Sequence, residues 1–384
     1  MYYSNNELNI NNKMTSLDGS QIFNGTYWDE FGLAHAFLQE NSRVLVLGLA
    51  QGACIRPLLS TGKIKELTCI EIDDDAAKNC SAVYSKHFPD LEFDITRNDA
   101  SDFLKQTEKK FDLIWVDLYL DNGYTDLYFN SEFWKDIKKT IDKNSIILIN
   151  SFGLPMHLDP FRGNNGQSKF LKLMSQLFPK LKYIPYRRNM TLIIEEGSTN
   201  LNTEVPSIKL FDQMIIKSHI LKYKNSMTLP EISSKQNCDA NTFAIIDIEM
   251  RQKWMEIVSL INNYSDKYNL NISRINTPIE IRDLVHNDKL CMELLDKLLE
   301  TRNEKIIWLP VFIGGEINCS KLNASWFMTW FIQNRNLLKN MMSSEYYSYF
   351  LPQVTAMVVN PNKNYRKYIF QLNEILNNEL EIIK

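Results

Sequence analysis

Three carboxylates each follow an apolar stretch early in the chain: Glu71 in "CIEID", Asp99 in "RNDASDFL" and Asp117 in "FDLIWVDLYLDNG". Ahead of them, the apolar run of "VLVLGLAQGA" meets Gly48, a three-residue spacer containing Gln51, and then Gly52. Glycine has no Cβ, so a Gly-x-x-x-Gly turn after a strand lets backbone pass close to a ligand. A helix starting near Cys54 would direct its first amides at the same place. Glu71 comes 19 residues after Gly52, and a carboxylate ending the second strand of a doubly wound sheet is placed to accept hydrogen bonds from ribose hydroxyls. Asp73, Asp74 and Asp75 suit the first turn of the next helix. Asp99 has two readings, an acceptor for an adenine exocyclic amine or the N-cap of the following helix. Asp117 ends a strand whose carboxyl end faces the ligand crevice, where it can orient a nucleophile or accept its proton.

These residues need strands to carry them, and the pattern supplies strands. From residue 43 to about 195, short apolar runs alternate with amphipathic segments: "RVLVLGL", "ELTCIEID", "LEFDITRND", "FDLIWVDLY" and "SIILIN" read as strands. "ACIRPLLST", "DAAKNCSAVYSKHF", "ASDFLKQTEK" and "SEFWKDIKKTI" read as the helices between them, and "SKFLKLMSQLF" leads to two late strands in "LKYIPYRRNMTLIIEE". Such alternation predicts an α/β fold, a doubly wound and mainly parallel sheet with helices on both faces. Strands buried on both faces should be almost continuously apolar, as "VLVLG" and "LIWVD" are.

The polar, aperiodic stretch Glu196 to Ser207, which contains Pro206, marks a boundary. The expected organisation is a polar segment over 1–26, the α/β domain over 27–197 and a mainly helical region over 198–384. In that last region "WFMTWFIQNRNLLKNMM" sets Trp326, Phe327, Trp330 and Phe331 at helical spacing, which suits a core or a dimer face better than a cofactor site. The formal net charge of −3 offers no electrostatic footprint for nucleic acid. No apolar run approaches the ~20 residues that span a bilayer. The six cysteines form no C-x-x-C pair and the five histidines do not cluster, so no metal site is expected. The expectation is a soluble cytoplasmic protein without nucleic-acid or membrane partners, with a homodimer as one option for its assembly.

With these elements in order, the run from about Tyr27 to Glu196 resembles the spermidine-synthase-like branch of the class I S-adenosylmethionine-dependent methyltransferase superfamily. The resemblance rests on "VLVLGLAQGA", "CIEID" and "NDASDFL". It rests also on the gate region that ends in Leu127, Tyr128, Phe129, Asn130, Ser131, Glu132, Phe133 and Trp134. It implies a seven-stranded sheet and a bound adenosyl sulfonium or its thioether product. The residues it implies around that ligand are Gly48, Gln51, Gly52, Glu71, Ile72, Asp99 and Ala100, with Asp117 beside it. The segment "FNGTYWDEFG" resembles the one that covers adenosine, so Tyr27 and Trp28 either stack there or pack the core.

The departures from the family bear on the reaction. Family members have a small β-domain ahead of the glycine motif, whereas 26 residues precede Tyr27 here. Their "D-(S/T)-(S/T)-D" loop becomes Asp117, Leu118, Tyr119, Leu120, Asp121, which shifts the second acid by one. Their glycine motif usually carries an acid where this chain has Gln51. An acid would repel the carboxylate of intact S-adenosyl-L-methionine, and a neutral amide can instead donate to it. Intact S-adenosyl-L-methionine is therefore expected ahead of its decarboxylated form. The expected protein is a transferase acting on a small-molecule acceptor, with methyl transfer slightly ahead of aminopropyl or 3-amino-3-carboxypropyl transfer to an amine. A noncatalytic binding module is the third reading, and Glu71, Asp99 and Asp117 together argue against it. Asp117, Tyr119 and Asp121 are the expected catalytic residues. Tyr124, and the loop with His157, Asp159 and Arg162, either shape the acceptor site or are ordinary connections.

Overall fold

The computed structural model describes residues 22–23, 27–50, 52–87, 91–120, 123–152, 167–178, 180–186, 189–197, 201–202, 205, 210–224, 227–228, 255, 258–276, 284, 287–301, 313, 325–341, 351, 354–355 and 365–383. These fall into two compact units. The first holds the described residues up to 205 together with 227–228, and the second holds 210–224 and those from 255 onward.

The first unit is an α/β sheet. Its strands are β1 Ser42–Leu47, β2 Ile64–Glu71, β3 Glu92–Arg97, β4 Phe111–Val116, β7 Ile141–Phe152, β8 Leu181–Tyr186, β9 Asn189–Glu195 and β10 Met227–Thr228, in the order β10-β8-β9-β7-β4-β1-β2-β3. The pairings among β3, β2, β1, β4 and β7 are all parallel. β9 pairs antiparallel with β7 and β8. This is the mainly parallel seven-stranded arrangement expected from the sequence, with the two-residue β10 added antiparallel on β8. The chain order reverses between β1 and β4, where a doubly wound sheet opens its ligand crevice. A separate hairpin, β5 Tyr119–Leu120 with β6 Gly123–Tyr124, follows β4.

Central strands are apolar because both faces are covered: Val44 to Leu47 and Leu113 to Val116 are fully buried. The helix after β1 is shorter than "ACIRPLLST" suggests. It is a 3-10 turn, Ala53–Ile55, followed by α2, Arg56–Leu59, with Pro57 in its first turn. A four-residue helix named α1, Ala34–Phe37, precedes β1. Asp74–His87, Ala100–Gln106, Ser131–Lys139 and Gln167–Leu177 form α3 to α6. Asn130 caps α5 by accepting from the Glu132 amide at 2.9 Å. Under α5, Tyr128, Trp134 and Phe170 meet at centroid distances of 4.9 to 6.0 Å. Complete burial of one such side chain stabilises the unit by about 2–3 kcal/mol.

The second unit is helical, with α7 Leu210–Lys224, α8 Asp288–Thr301, α9 Ser325–Met341 and α10 Ile369–Ile383, plus a helical stretch over 258–267. Phe327, Trp330 and Phe331 are buried, and Trp330 Nε1 donates to Asp296 Oδ1 at 2.9 Å. The aromatic stripe is therefore core. The boundary expected after residue 197 is interleaved, since 201–202, 205 and β10 stay with the first unit. The Asn202 amide donates to the Ala36 carbonyl at 2.9 Å. Among the described residues no helix is long and apolar enough to cross a membrane.

Candidate functional site

One transverse row of the sheet collects the site. Leu47 registers with Ile70 and Val116, and Val116 with Ile149. One residue further along each strand come Glu71, Gly48, Asp117 and Asn150. The Gly48 amide donates to the Ile70 carbonyl at 3.0 Å, and the Asp117 amide to the Leu47 carbonyl at 2.9 Å. Gly48 has φ +86°, and a Cβ there would lie 2.2 Å from the Asp117 carbonyl oxygen. Its glycine is thus required by the approach of β4, in a backbone region that L side chains avoid.

Glu71 is 9% exposed. Its Oε2 accepts the amides of Leu49 at 2.9 Å and Ala50 at 2.6 Å, and its Oε1 accepts the Asp73 amide at 3.0 Å. It therefore clamps the glycine turn across to the start of α3. Ala50, at φ +47°, is held in the left-handed region by that clamp. Gly52 makes room for a neighbour that the sequence does not reveal. At φ +80°, its missing side chain leaves room for Cys80 and Tyr84 of α3, which a Cβ would meet at 2.8 and 2.9 Å. The Tyr84 hydroxyl donates to the Gly52 carbonyl. Burial, reinforced by Glu71, pushes the Cys80 thiol up to about 12. Burial also raises Cys54 and Cys69, so these thiols stay protonated and are poor nucleophiles.

Beyond Glu71, Ile72 is 67% exposed, an apolar platform at the strand end. Asp99 caps α4: its Oδ1 accepts the amides of Ser101 at 2.8 Å and Asp102 at 3.2 Å. Both bonds fall on one oxygen, so capping leaves the adenine reading compatible with the other. Ala100 is buried as the first residue of that helix.

Asp117 is half-buried, and its Oδ1 accepts from Asn150 Nδ2 at 2.7 Å. Tyr119 and Tyr128 both donate their hydroxyls to the Asn150 carbonyl, at 2.7 and 2.9 Å, with ring centroids 5.3 Å apart. The segment after Asp117 is thus a hairpin pinned back to β7 through Tyr119. Asn150 escaped the sequence reading, although "SIILIN" ends on a polar residue just as "LIWVD" does. The structure brings Gly48, Glu71, Asp117 and Tyr119 to this row, with Ile72, Asp99 and Ala100 at the neighbouring strand ends. Gln51, Asp121, His157, Asp159 and Arg162 lie outside the described residues, as do the side chains of Tyr27 and Tyr124. Trp28 is half-buried in the 3-10 helix Tyr27–Leu33. Among the described residues no group of His, Cys, Asp and Glu is arranged to hold a metal ion.

Residues 31–203 match the spermine/spermidine synthase domain family. The match lies in the first half of the chain and spans a little under half of its length. Its relatives include polyamine aminopropyltransferases from Sulfolobus acidocaldarius, 26% identical over 162 residues, covering 39% of this chain and 53% of that protein. Another is that of Ruegeria sp., 30% identical over 117 residues, covering 29% of this chain and 41% of that protein. The chain spans about half or less of the length of these relatives. A spermidine synthase structure with the transition-state analogue AdoDATO is 18% identical, covering 45% of this chain and 61% of that chain, at a TM-score of 0.38. Human methyltransferase-like protein 13 with SAH is 16% identical, covering 50% of this chain and 89% of that chain, at a TM-score of 0.37. Over this segment the relatives carry the name of aminopropyl transfer, the second reaction weighed above, rather than of methyl transfer.

Proposed function

We propose that the chain transfers an aminopropyl group from an adenosyl sulfonium to an amine acceptor of the polyamine class. This replaces methyl transfer as the leading reading. The observation that carries it is Asp117, a half-buried carboxylate held at the strand-order reversal by Asn150. A fixed carboxylate there suits an acceptor that arrives as an ammonium ion and must lose a proton before it can attack. The names of the relatives over the same segment support the same reaction.

The donor set fits an adenosyl group. Glu71 would accept from the ribose hydroxyls, Ile72 would lie against the adenine face, and Asp99 would accept from the adenine amine. The positive sulfonium supplies an electrophilic carbon, and the protein's task is alignment. Asp117 takes a proton from the ammonium. The freed nitrogen lone pair forms a bond to the carbon next to sulfur as that carbon–sulfur bond breaks. The bonding pair leaves on sulfur as a neutral thioether, and the proton passes from Asp117 to solvent.

A second reading keeps intact S-adenosyl-L-methionine as donor, with transfer of a methyl or 3-amino-3-carboxypropyl group. Gln51, neutral where the family usually has an acid, favours it. The test is to incubate the protein with a diamine and either decarboxylated or intact S-adenosylmethionine, then weigh the nucleoside product. Methylthioadenosine from the decarboxylated donor supports the proposal. S-adenosylhomocysteine from the intact donor supports methyl transfer and overturns it. Donor binding without any product supports a noncatalytic module.

A further inference from the structure

We infer that Asn150 is the positioning residue for Asp117, and that Tyr119 and Tyr128 lock Asn150 in place through its backbone carbonyl. The inference rests on the aminopropyl-transfer reading of the same site. Asn150 is 3% exposed, so its side-chain amide needs a partner inside the protein. Its Nδ2 donates to Asp117 Oδ1 at 2.7 Å, the short length of a charge-assisted bond. A carbonyl oxygen has two lone pairs, and here both are taken, by Tyr119 at 2.7 Å and Tyr128 at 2.9 Å.

The bond adds little to the sheet, because β4 and β7 already pair through Val116 and Ile149. Its effect falls on the carboxylate of Asp117, whose Oδ1 it holds from the neighbouring strand. Tyr128 is fully buried, and its own carbonyl accepts from Trp134 Nε1 at 3.1 Å. The chain of contacts therefore runs from a rigid aromatic core, through the main chain at residue 150, to one oxygen of Asp117. Tyr119 belongs to the hairpin after β4, so the segment bordering the acceptor side is fastened to the same carbonyl. Misplacing a reacting group by about 1 Å can lower turnover about 10²-fold.

The test uses full-length protein with decarboxylated S-adenosylmethionine and a diamine. Asn150→Leu should lower kcat about 10²-fold while the donor KM stays within about twofold. An unchanged kcat overturns the inference. The exchange variant Asp117→Asn/Asn150→Asp keeps a hydrogen bond with its polarity reversed, and serves also if Asn150→Leu does not fold. It should approach wild-type stability yet remain as inactive as Asp117→Asn. Recovery of turnover would show a merely structural pair. A third readout needs no turnover: the nitrogen-15 signal of the Asn150 side-chain amide, assigned by its loss in Asn150→Leu, should shift in Asp117→Asn. A signal indifferent to Asp117→Asn overturns the inference. A shifting signal in a wild type that transfers no aminopropyl group overturns only the reaction.

Discussion

The carboxyl ends of β2 and β4 both carry an acid, and the protein holds the two in opposite ways. Glu71 is buried and accepts three backbone amides from the glycine turn and the start of α3. Asp117 is half-buried, and the side-chain amide on it comes from Asn150 of the neighbouring β7. A carboxylate tied to several main-chain donors shapes the loops around it, whereas one held by a side-chain amide from the neighbouring strand is oriented at the strand end. Under the proposed function, the β2 end is architecture that also binds the donor, and the β4 end is where the proton is taken.

Gly48 sits between the two ends, so its substitution should disturb both and have the largest effect. A Cβ 2.2 Å from the Asp117 carbonyl cannot be accommodated without moving β4. Gly48→Ala is expected to destabilise the first unit by about 3 kcal/mol or more in urea unfolding, and to abolish turnover. Gly62→Ala is the control: its φ is +65° but no atom lies within 4 Å of the added Cβ, so the cost should stay near 1 kcal/mol. Equal costs at the two positions would mean that backbone conformation, rather than the approach of β4, explains Gly48.

The next test separates the two acids. Asp117→Asn should lower kcat about 10²- to 10⁴-fold while affinity for methylthioadenosine, measured by calorimetry, changes little. Glu71→Ala should do the reverse, with ligand affinity lost about 10²-fold or more. It should also cost about 1–3 kcal/mol of stability, because three amides lose their acceptor. If Glu71→Ala weakens binding with no loss of stability, the clamp on the glycine turn is not what holds Ala50 in its left-handed conformation. Full activity in Asp117→Asn would remove the distinction drawn between the strand ends.

Much of this comparison was legible in the sequence, for a physical reason. Strands buried on both faces must be apolar, so the polar residue that ends one stands out, as Glu71 and Asp117 did. The strand alternation and the helical periodicity of α7 to α10 are likewise local patterns. What escaped depends on which strands become neighbours. Asn150 matters because β7 lies beside β4 in a register that puts residue 150 next to 117. The packing of Gly52 was hidden as well, because nothing local reveals that Cys80 and Tyr84 press against it. The hairpin after Asp117 was hidden because Leu118, Tyr119 and Leu120 read equally well as more of the same strand.

The smallest effect concerns the pH range in which the two acids can be compared. His35, in α1, is buried, and its Nε2 lies 3.0 Å from Ser60 Oγ. Burial, assisted by the nearby Lys63 charge, lowers its pKa from 6.5 to about 3. An unfolded chain therefore binds a proton at this residue below pH 6.5 that the folded chain refuses until about pH 3. Stability is fully present above 6.5 and declines as the pH falls, by at most about 1.4 kcal/mol per pH unit. Between pH 7 and pH 5 the expected loss from this residue is about 2 kcal/mol, measured as a shift in urea midpoint. His35→Gln keeps a side-chain amide for Ser60 and removes the titration, so its stability should vary less with pH over that interval. If the wild-type slope survives in that variant, another buried group is responsible. With the slope removed, any acid loss of activity that remains belongs to the site itself, and Asp117→Asn in the His35→Gln background then shows whether the β4 carboxylate is its source.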